Sequence, residues 1–162
     1  MRIIGVDPGL ATVGYAIIEK QGNSMKALDF GCIRTAAHVP LAIRLEEIFA
    51  AMETLLARWQ PDVMALEQLF FNRNVTNALL VGQARGVCML ASCRAQCPVE
   101  EYTPLQVKQA VVGNGRAAKQ QVAAMVKTLL NLQDTPRPDD VADAMAVAIC
   151  HSHRPVLSAT KR

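Results

Sequence analysis

Between residues 2 and 35 three strand-like segments follow one another across links too short to hold a helix. Arg2-Ile3-Ile4-Gly5-Val6-Asp7 is the first, Thr12 to Ile18 the second and Met25 to Thr35 the third. Pro8-Gly9 and Gln21-Gly22-Asn23 supply the turns. Such tight connections imply an antiparallel meander. From Pro40 onward the period changes. Leu41, Leu45, Ile48, Phe49, Met52, Leu55, Leu56 and Trp59 recur at steps of three and four, which predicts a helix opened by Pro40. Val63-Met64-Ala65-Leu66 reads as a fourth strand closed by Glu67, and Val75 to about Gln96 as a long helix. Val99 to Tyr102 is a short strand, and Pro104 takes the first position of a helix carrying Val107, Val111 and Val112. Gly113-Asn114-Gly115 breaks that helix, and Val122, Met125, Val126, Leu129 and Leu130 mark the next. Pro136 and Pro138 precede a last helix from about Asp139 to His151. The order predicts an α/β fold, a mixed five-stranded sheet flanked by helices.

Residues 1–162 show no repeat, linker or low-complexity tract, so one domain is expected, with a short basic tail from about residue 152. A chain of that length buries about 70% of its unfolded surface without disulfides or a metal staple. No apolar stretch reaches the ~20 residues of a membrane span. The first residues lack the pattern of a signal peptide. The expectation is a cytoplasmic protein away from membranes, its five cysteines thiols. Cys88, Cys93 and Cys97 lack zinc-pair spacing, and a zinc site at Cys150-His151-Ser152-His153 is rejected because thiols are ordinarily buried and the two histidines suit the end of the last helix.

Two apolar strands end in a carboxylate, Asp7 before Pro8-Gly9 and Glu67 after Leu66. A third acidic group, Asp139-Asp140-Val141-Ala142-Asp143, opens the last helix, where Asp140 and Asp143 share a face. Each has a plain structural reading as well. Asp7 suits a turn, and acidic residues after a Pro-rich loop cap a helix. Glu67 at the end of a buried-looking strand is harder to explain that way. Four converging carboxylates would repel by ~4 kcal/mol for each pair about 4 Å apart at an effective dielectric of 20, so they would need a cation or protons. An oxygen-only ligand set suits Mg²⁺ or Mn²⁺ and metal-dependent phosphoryl chemistry.

Net charge is only +3, but Lys108, Arg116, Lys119 and Lys127 are the sole charges from Thr103 to Leu130, and the tail adds Arg154, Lys161 and Arg162. These could hold a phosphate backbone or form a solvated basic face. Gly113-Asn114-Gly115-Arg116-Ala117-Ala118-Lys119 has the look of a phosphate-cradling loop, though Gln120 after Lys119 excludes a nucleotide P-loop. Phe70-Phe71, just beyond Glu67, suits core packing or stacking on an unpaired base. Residues 78–93 are apolar around most of their circumference, which predicts a helix buried on more than one side. Its second face would meet either the monomer core or a symmetry mate, with Gly82 and Gly86 allowing close approach.

Gly5-Val6-Asp7-Pro8-Gly9, Ala65-Leu66-Glu67-Gln68, Gly82-Gln83-Ala84-Arg85-Gly86, Val107-Lys108-Gln109-Ala110-Val111-Val112-Gly113 and Asp140-Val141-Ala142-Asp143-Ala144 resemble, in order, the RuvC family of bacterial Holliday-junction resolvases. The resemblance covers nearly the whole chain. It implies a ribonuclease-H-like fold and a homodimer making paired nicks in four-way junction DNA, in recombination and repair. It further implies two Mg²⁺ per active site, with Mn²⁺ a substitute, held by Asp7, Glu67, Asp140 and Asp143; some members carry His where this chain has Asp140. Phe70 matches the family's base-contacting aromatic, Arg73 is an adjacent phosphate contact, and Lys108 and Lys119 match basic DNA-binding positions. A branch-migration motor complex is the implied partner. Two rivals remain for comparison: an actin- or sugar-kinase-like ATPase, for which the chain is too short, and a non-catalytic nucleic-acid module, which would lack the carboxylates.

Overall fold

The computed structural model describes residues 1–69 and 74–154. In chain order the elements are β1 (Arg2–Asp7), β2 (Thr12–Gln21), β3 (Ser24–Arg34), α1 (Leu41–Trp59), β4 (Val63–Glu67), α2 (Val75–Arg94), β5 (Val99–Tyr102), α3 (Pro104–Val112), α4 (Lys119–Leu129) and α5 (Asp139–Ser152). The sheet order is β3-β2-β1-β4-β5. β1, β2 and β3 form the antiparallel meander, while β4 and β5 run parallel to β1. The mixed five-stranded sheet expected from the sequence is the one observed. Among the described residues no helix is long and apolar enough to cross a membrane.

Period-two alternation divides the strands between two cores. Ile4, Val6, Ile17, Met64 and Leu66 face α1 and α2, packing with Ile48, Met52, Leu56, Ala84, Cys88 and Ala91. Ile3, Ala16, Ile18, Val63 and Ala65 face the other way, toward α5, and the core there extends into α3 and α4 through Val107, Val111, Val122 and Val126. Asp7 and Glu67 follow in the second set, so both carboxylates project on the α5 side.

Two glycines let α5 lie unusually close to that face. A Cβ on Gly5 would collide with the Ala144 carbonyl and come within 2.9 Å of the Ala148 Cβ. A Cβ on Gly14 would collide with the Asp140 carbonyl and come within 2.8 Å of its Cβ. The alanines of α5 complete the fit, since a larger residue at 144 or 148 would lift the helix. The helix start that carries the acidic group is therefore seated against β1 and β2.

The helix ends follow local chemistry. Thr103 caps α3 in a reciprocal capping box with Gln106, Pro104 holds the first helical position, and Gly113 ends it at φ 81°. α4 starts at Lys119, one turn earlier than its apolar stripe indicated. For α2 the monomer core covers one face only. Ala84, Arg85, Cys88, Ala91 and Ser92 are buried on one side, but Val75, Leu79 and Leu90 on the other are exposed, and Gly82 and Gly86 face open space. Within the monomer α2 is thus buried on one side only, because no element crosses its outer face among the described residues.

Candidate active site

The site is assembled at the C-terminal ends of the parallel strands, the end at which open α/β sheets present their functional groups. β1 and β4 pair from Ile3–Val63 to Val6–Leu66, so Asp7 and Glu67 leave neighbouring strands at the same level. Adjacent strands are roughly 5 Å apart, which makes the two carboxylates neighbours. Gly14 pairs with Asp7 on the other side, and over it sits the start of α5, with Asp139 and Asp140 in its first turn and Asp143 one turn on from Asp139. Carboxylates there also gain from the positive end of the helix.

Electrostatics shows how closely the groups crowd. Burial pushes the Asp7 carboxyl up from 3.8 to about 7, and the charges of Asp143, Asp140 and Glu67 push it in the same direction, against a smaller opposing pull from Lys119. Glu67 is raised chiefly by burial and then by Asp143, with Lys108 and Lys119 opposing. Asp143 is raised by burial and held back by its hydrogen bond and charge contact with Lys119. The structure thus brings Asp7, Glu67, Asp140 and Asp143 into one mutually repelling group. No three His, Cys, Asp or Glu side chains among the described residues stand close enough to grip a single ion as arranged. The oxygen-rich set is short of positive charge, which fits a divalent cation, but its side chains would have to draw together around one.

Lys119 is placed differently from the sequence reading. It is the first residue of α4, and its ammonium lies 3.0 Å from Asp143 Oδ2 and 3.7 Å from Asp139 Oδ2. Its own pKa is raised, first by the hydrogen bond to Asp143. It therefore belongs to the carboxylate site itself, not only to a flanking basic surface. Lys108 from α3 shares a cleft of about 250 Å³ with Glu67, Lys119 and Asp143, floored by Val107, Val122 and Ala146. A larger cavity of about 660 Å³ opens at the opposite end of the sheet between the ends of α1 and α2. It holds the exposed Glu53–Arg94 pair but no converging carboxylates, so size does not locate the chemistry. Phe70 and Arg73 lie outside the described residues.

The family model for the crossover junction endodeoxyribonuclease RuvC matches residues 3–151, a span that includes every carboxylate of this group. The chain belongs to the RuvC family. A family member from Heliobacterium modesticaldum is 59% identical over 153 residues, covering 94% of either chain. The structure of Thermus thermophilus RuvC in complex with Holliday junction substrate has 37% identity and a TM-score of 0.89, covering 94% of this chain and 93% of that one. The ribonuclease-H-like architecture of the RuvC structures is the fold observed here. The fowlpox virus resolvase, at 16% identity and a TM-score of 0.56, shares the fold alone.

One contributor to the geometry of the site was not singled out from sequence. Gly14 carries no functional group, and only its register opposite Asp7 and the proximity of Asp140 reveal its place.

Proposed function

We infer that this protein is a Holliday-junction resolvase, a nuclease that hydrolyses phosphodiesters in four-way junction DNA. The carrying observation is the crowded carboxylate group of Asp7, Glu67, Asp140 and Asp143 at the strand ends, with Asp7 pushed up to about 7. We propose these four side chains as the ligands of divalent cations, two Mg²⁺ per site, with Mn²⁺ able to replace it. Bound there, the cations supply Lewis-acid activation of water and neutralise charge developing on the phosphate. The chain's own residues do the positioning. Lys108 and Lys119 line the cleft beside Glu67 and Asp143, where their charges would hold a DNA phosphate. By family resemblance, Phe70 stacks on a base opened at the crossover and Arg73 holds an adjacent phosphate.

The test compares a synthetic four-way junction with linear duplex of the same sequence, with Mg²⁺ and with EDTA. Cleavage confined to the junction and to Mg²⁺ is expected. Equal cutting of duplex, or activity in EDTA, would overturn the assignment.

Lys119 occupies ground that a metal would compete for. Lys119→Met is expected to slow cleavage and to enlarge the Mg²⁺-induced rise in melting temperature, because the competing ammonium is gone. Junction binding should also lose salt sensitivity by about one phosphate contact. An unchanged Mg²⁺ shift with wild-type cleavage would remove Lys119 from the site.

A homodimer, one nuclease domain per chain, supplies two equivalent sites for two opposing strands. The outer face of α2 supports this, since Val75, Leu79 and Leu90 are exposed there and Gly82 and Gly86 leave room for close approach. Leu79→Asp is expected to leave the fold intact and shift the protein to monomer in sedimentation. Paired nicking of both strands should then be lost. A dimer of unaltered stability would place the interface elsewhere. A branch-migration motor complex and a cytoplasmic location complete the reading implied by the family.

A further inference from the structure

Arg85 is a cation in a helix face otherwise made of Ala84, Cys88, Ala91 and Ser92, with a side chain only 10% exposed. Burying a guanidinium is costly unless it is paired and hydrogen-bonded. Its two terminal nitrogens reach different strands. Nη1 donates to the main-chain oxygen of Glu67 at 2.6 Å, and Nη2 donates to the carboxylate of Glu101 on β5.

The bond to Glu67 answers a deficit created by the sequence. In a parallel pair the carbonyl of a β4 residue accepts from the amide one residue beyond its partner on β1. The β1–β4 register ends at Val6–Leu66, and extending it by one step sets Glu67 opposite Asp7. The donor due to the Glu67 carbonyl is then the amide of residue 8. That residue is Pro8, which has no N–H. The next amide of β4, Gln68, turns the other way and donates to Tyr102 at 2.7 Å. The Glu67 carbonyl thus lies on the side of the strand that Pro8 leaves without a donor, and the guanidinium supplies one.

We propose that Arg85 is a positioning residue of the nuclease site: from the opposite face of the sheet it replaces the donor missing at Pro8 and fixes the strand end from which the Glu67 carboxylate is aimed. The inference rests on the reading of Glu67 as a metal ligand. Arg85 touches neither substrate nor metal. It acts through the main chain of Glu67, while Glu101 keeps its charge paired. The Asp7-Pro8 step and Arg85 are therefore one device, in which the proline ends β1 pairing at the site and the arginine restores the lost bond.

The test uses the full-length protein and four variants, Arg85→Met, Arg85→Lys, Glu101→Gln and Asp7→Asn. Three quantities are read: the Mg²⁺ concentration for half-maximal junction cleavage, Mn²⁺ binding without DNA by electron paramagnetic resonance, and junction binding in EDTA. Arg85→Met is expected to raise the Mg²⁺ midpoint and weaken Mn²⁺ binding about ten-fold, the scale of lost outer-shell support at metal sites. Junction binding in EDTA should stay at the wild-type level. Arg85→Lys, which keeps a donor for the carbonyl, should recover most of the shift. Glu101→Gln should lower the melting temperature without moving the midpoint, because the carbonyl bond survives. If Arg85→Met does not fold, Arg85→Lys and Glu101→Gln decide: a Lys midpoint between wild type and ten-fold, with the Gln midpoint unmoved, supports the proposal. Wild-type midpoint and Mn²⁺ binding in folded Arg85 variants would overturn it, as would equal shifts in the Arg85 and Glu101 variants. If Asp7→Asn leaves Mn²⁺ binding intact, the metal-site reading itself fails. If Asp7→Asn loses it while Arg85→Met does not, only the role of Arg85 fails.

Discussion

Asp7→Asn is expected to abolish junction cleavage, by about 10³-fold or more, while leaving junction binding and the fold in place. Several kcal/mol of charge stabilisation at the phosphate is the usual worth of a catalytic metal position, and that sets the scale. The same substitution should stabilise the metal-free protein above neutral pH. Folded Asp7 takes up its proton near pH 7, whereas an unfolded aspartate does so near 3.8. Between those values the folded state binds more protons, so stability falls as pH rises from about 4 to about 7 and is level beyond. The cost at pH 8 amounts to roughly a few kcal/mol, because one unit of pKa is about 1.4 kcal/mol. Burial is the first cause, and the charges of Asp143, Asp140 and Glu67 add to it while Lys119 opposes them. Asparagine carries no charge to desolvate. In EDTA at pH 8 its melting temperature should therefore exceed wild type's by several degrees, at about 2–4 °C per kcal/mol. Added Mg²⁺ should raise the wild type more than the variant, since a ligand stabilises in proportion to its affinity for the folded state. Melting curves at pH 5 and 8, with and without Mg²⁺, check all of this. Retained cleavage, or an Mg²⁺ shift as large as wild type's, would return Asp7 to the rank of a turn residue.

The parts of this molecule legible in sequence are those written in local period. The short apolar runs Ile3-Ile4-Gly5-Val6 and Val63-Met64-Ala65-Leu66 predicted the strands, and the two-residue period of a strand places Asp7 and Glu67 on one face once a register is supplied. Pro104 with Thr103 and Gln106 announced the start of α3. Register between distant strands leaves no local trace: the strand-end placement of Asp7 and Glu67 suggested that they converge, and only the β1–β4 pairing sets them side by side. α2 shows the limit of composition. Its apolar circumference left open whether the second face meets the monomer core or a symmetry mate, because composition does not say what covers a face; within the monomer that face is open. Lys119 was legible as a cation near a glycine-rich loop. Its contact with Asp143 depends on how α4 packs against α5, a tertiary relation.

Gly14→Ala is expected to damage the site more than it damages the fold. Gly14 pairs with Asp7 across the β1–β2 ladder, and an added methyl would point at the main chain of Asp140. The obstacle is a backbone carbonyl and a Cβ, not the flexible end of a side chain, so relief requires the start of α5 to move. Overpacking of this kind costs about 1–3 kcal/mol, which at 2–4 °C per kcal/mol lowers the melting temperature by roughly 2–12 °C. The functional effect should be larger. α5 carries Asp140 and Asp143, and a misplacement of about 1 Å is enough to cost 10²-fold in rate. Gly31→Ala serves as the control, because its new methyl meets the Tyr15 hydroxyl at 3.1 Å, on a side chain that can give way. Gly31 lies on β3, two strands away from β1. Both variants should lose some stability, but only Gly14→Ala should lose cleavage about 10²-fold at a temperature where it is fully folded, with its Mg²⁺ midpoint raised. Equal activity in the two variants would show that α5 does not depend on the glycine for its seat. Equal loss at equal destabilisation would assign the effect to stability and leave Gly14 outside the geometry of the site.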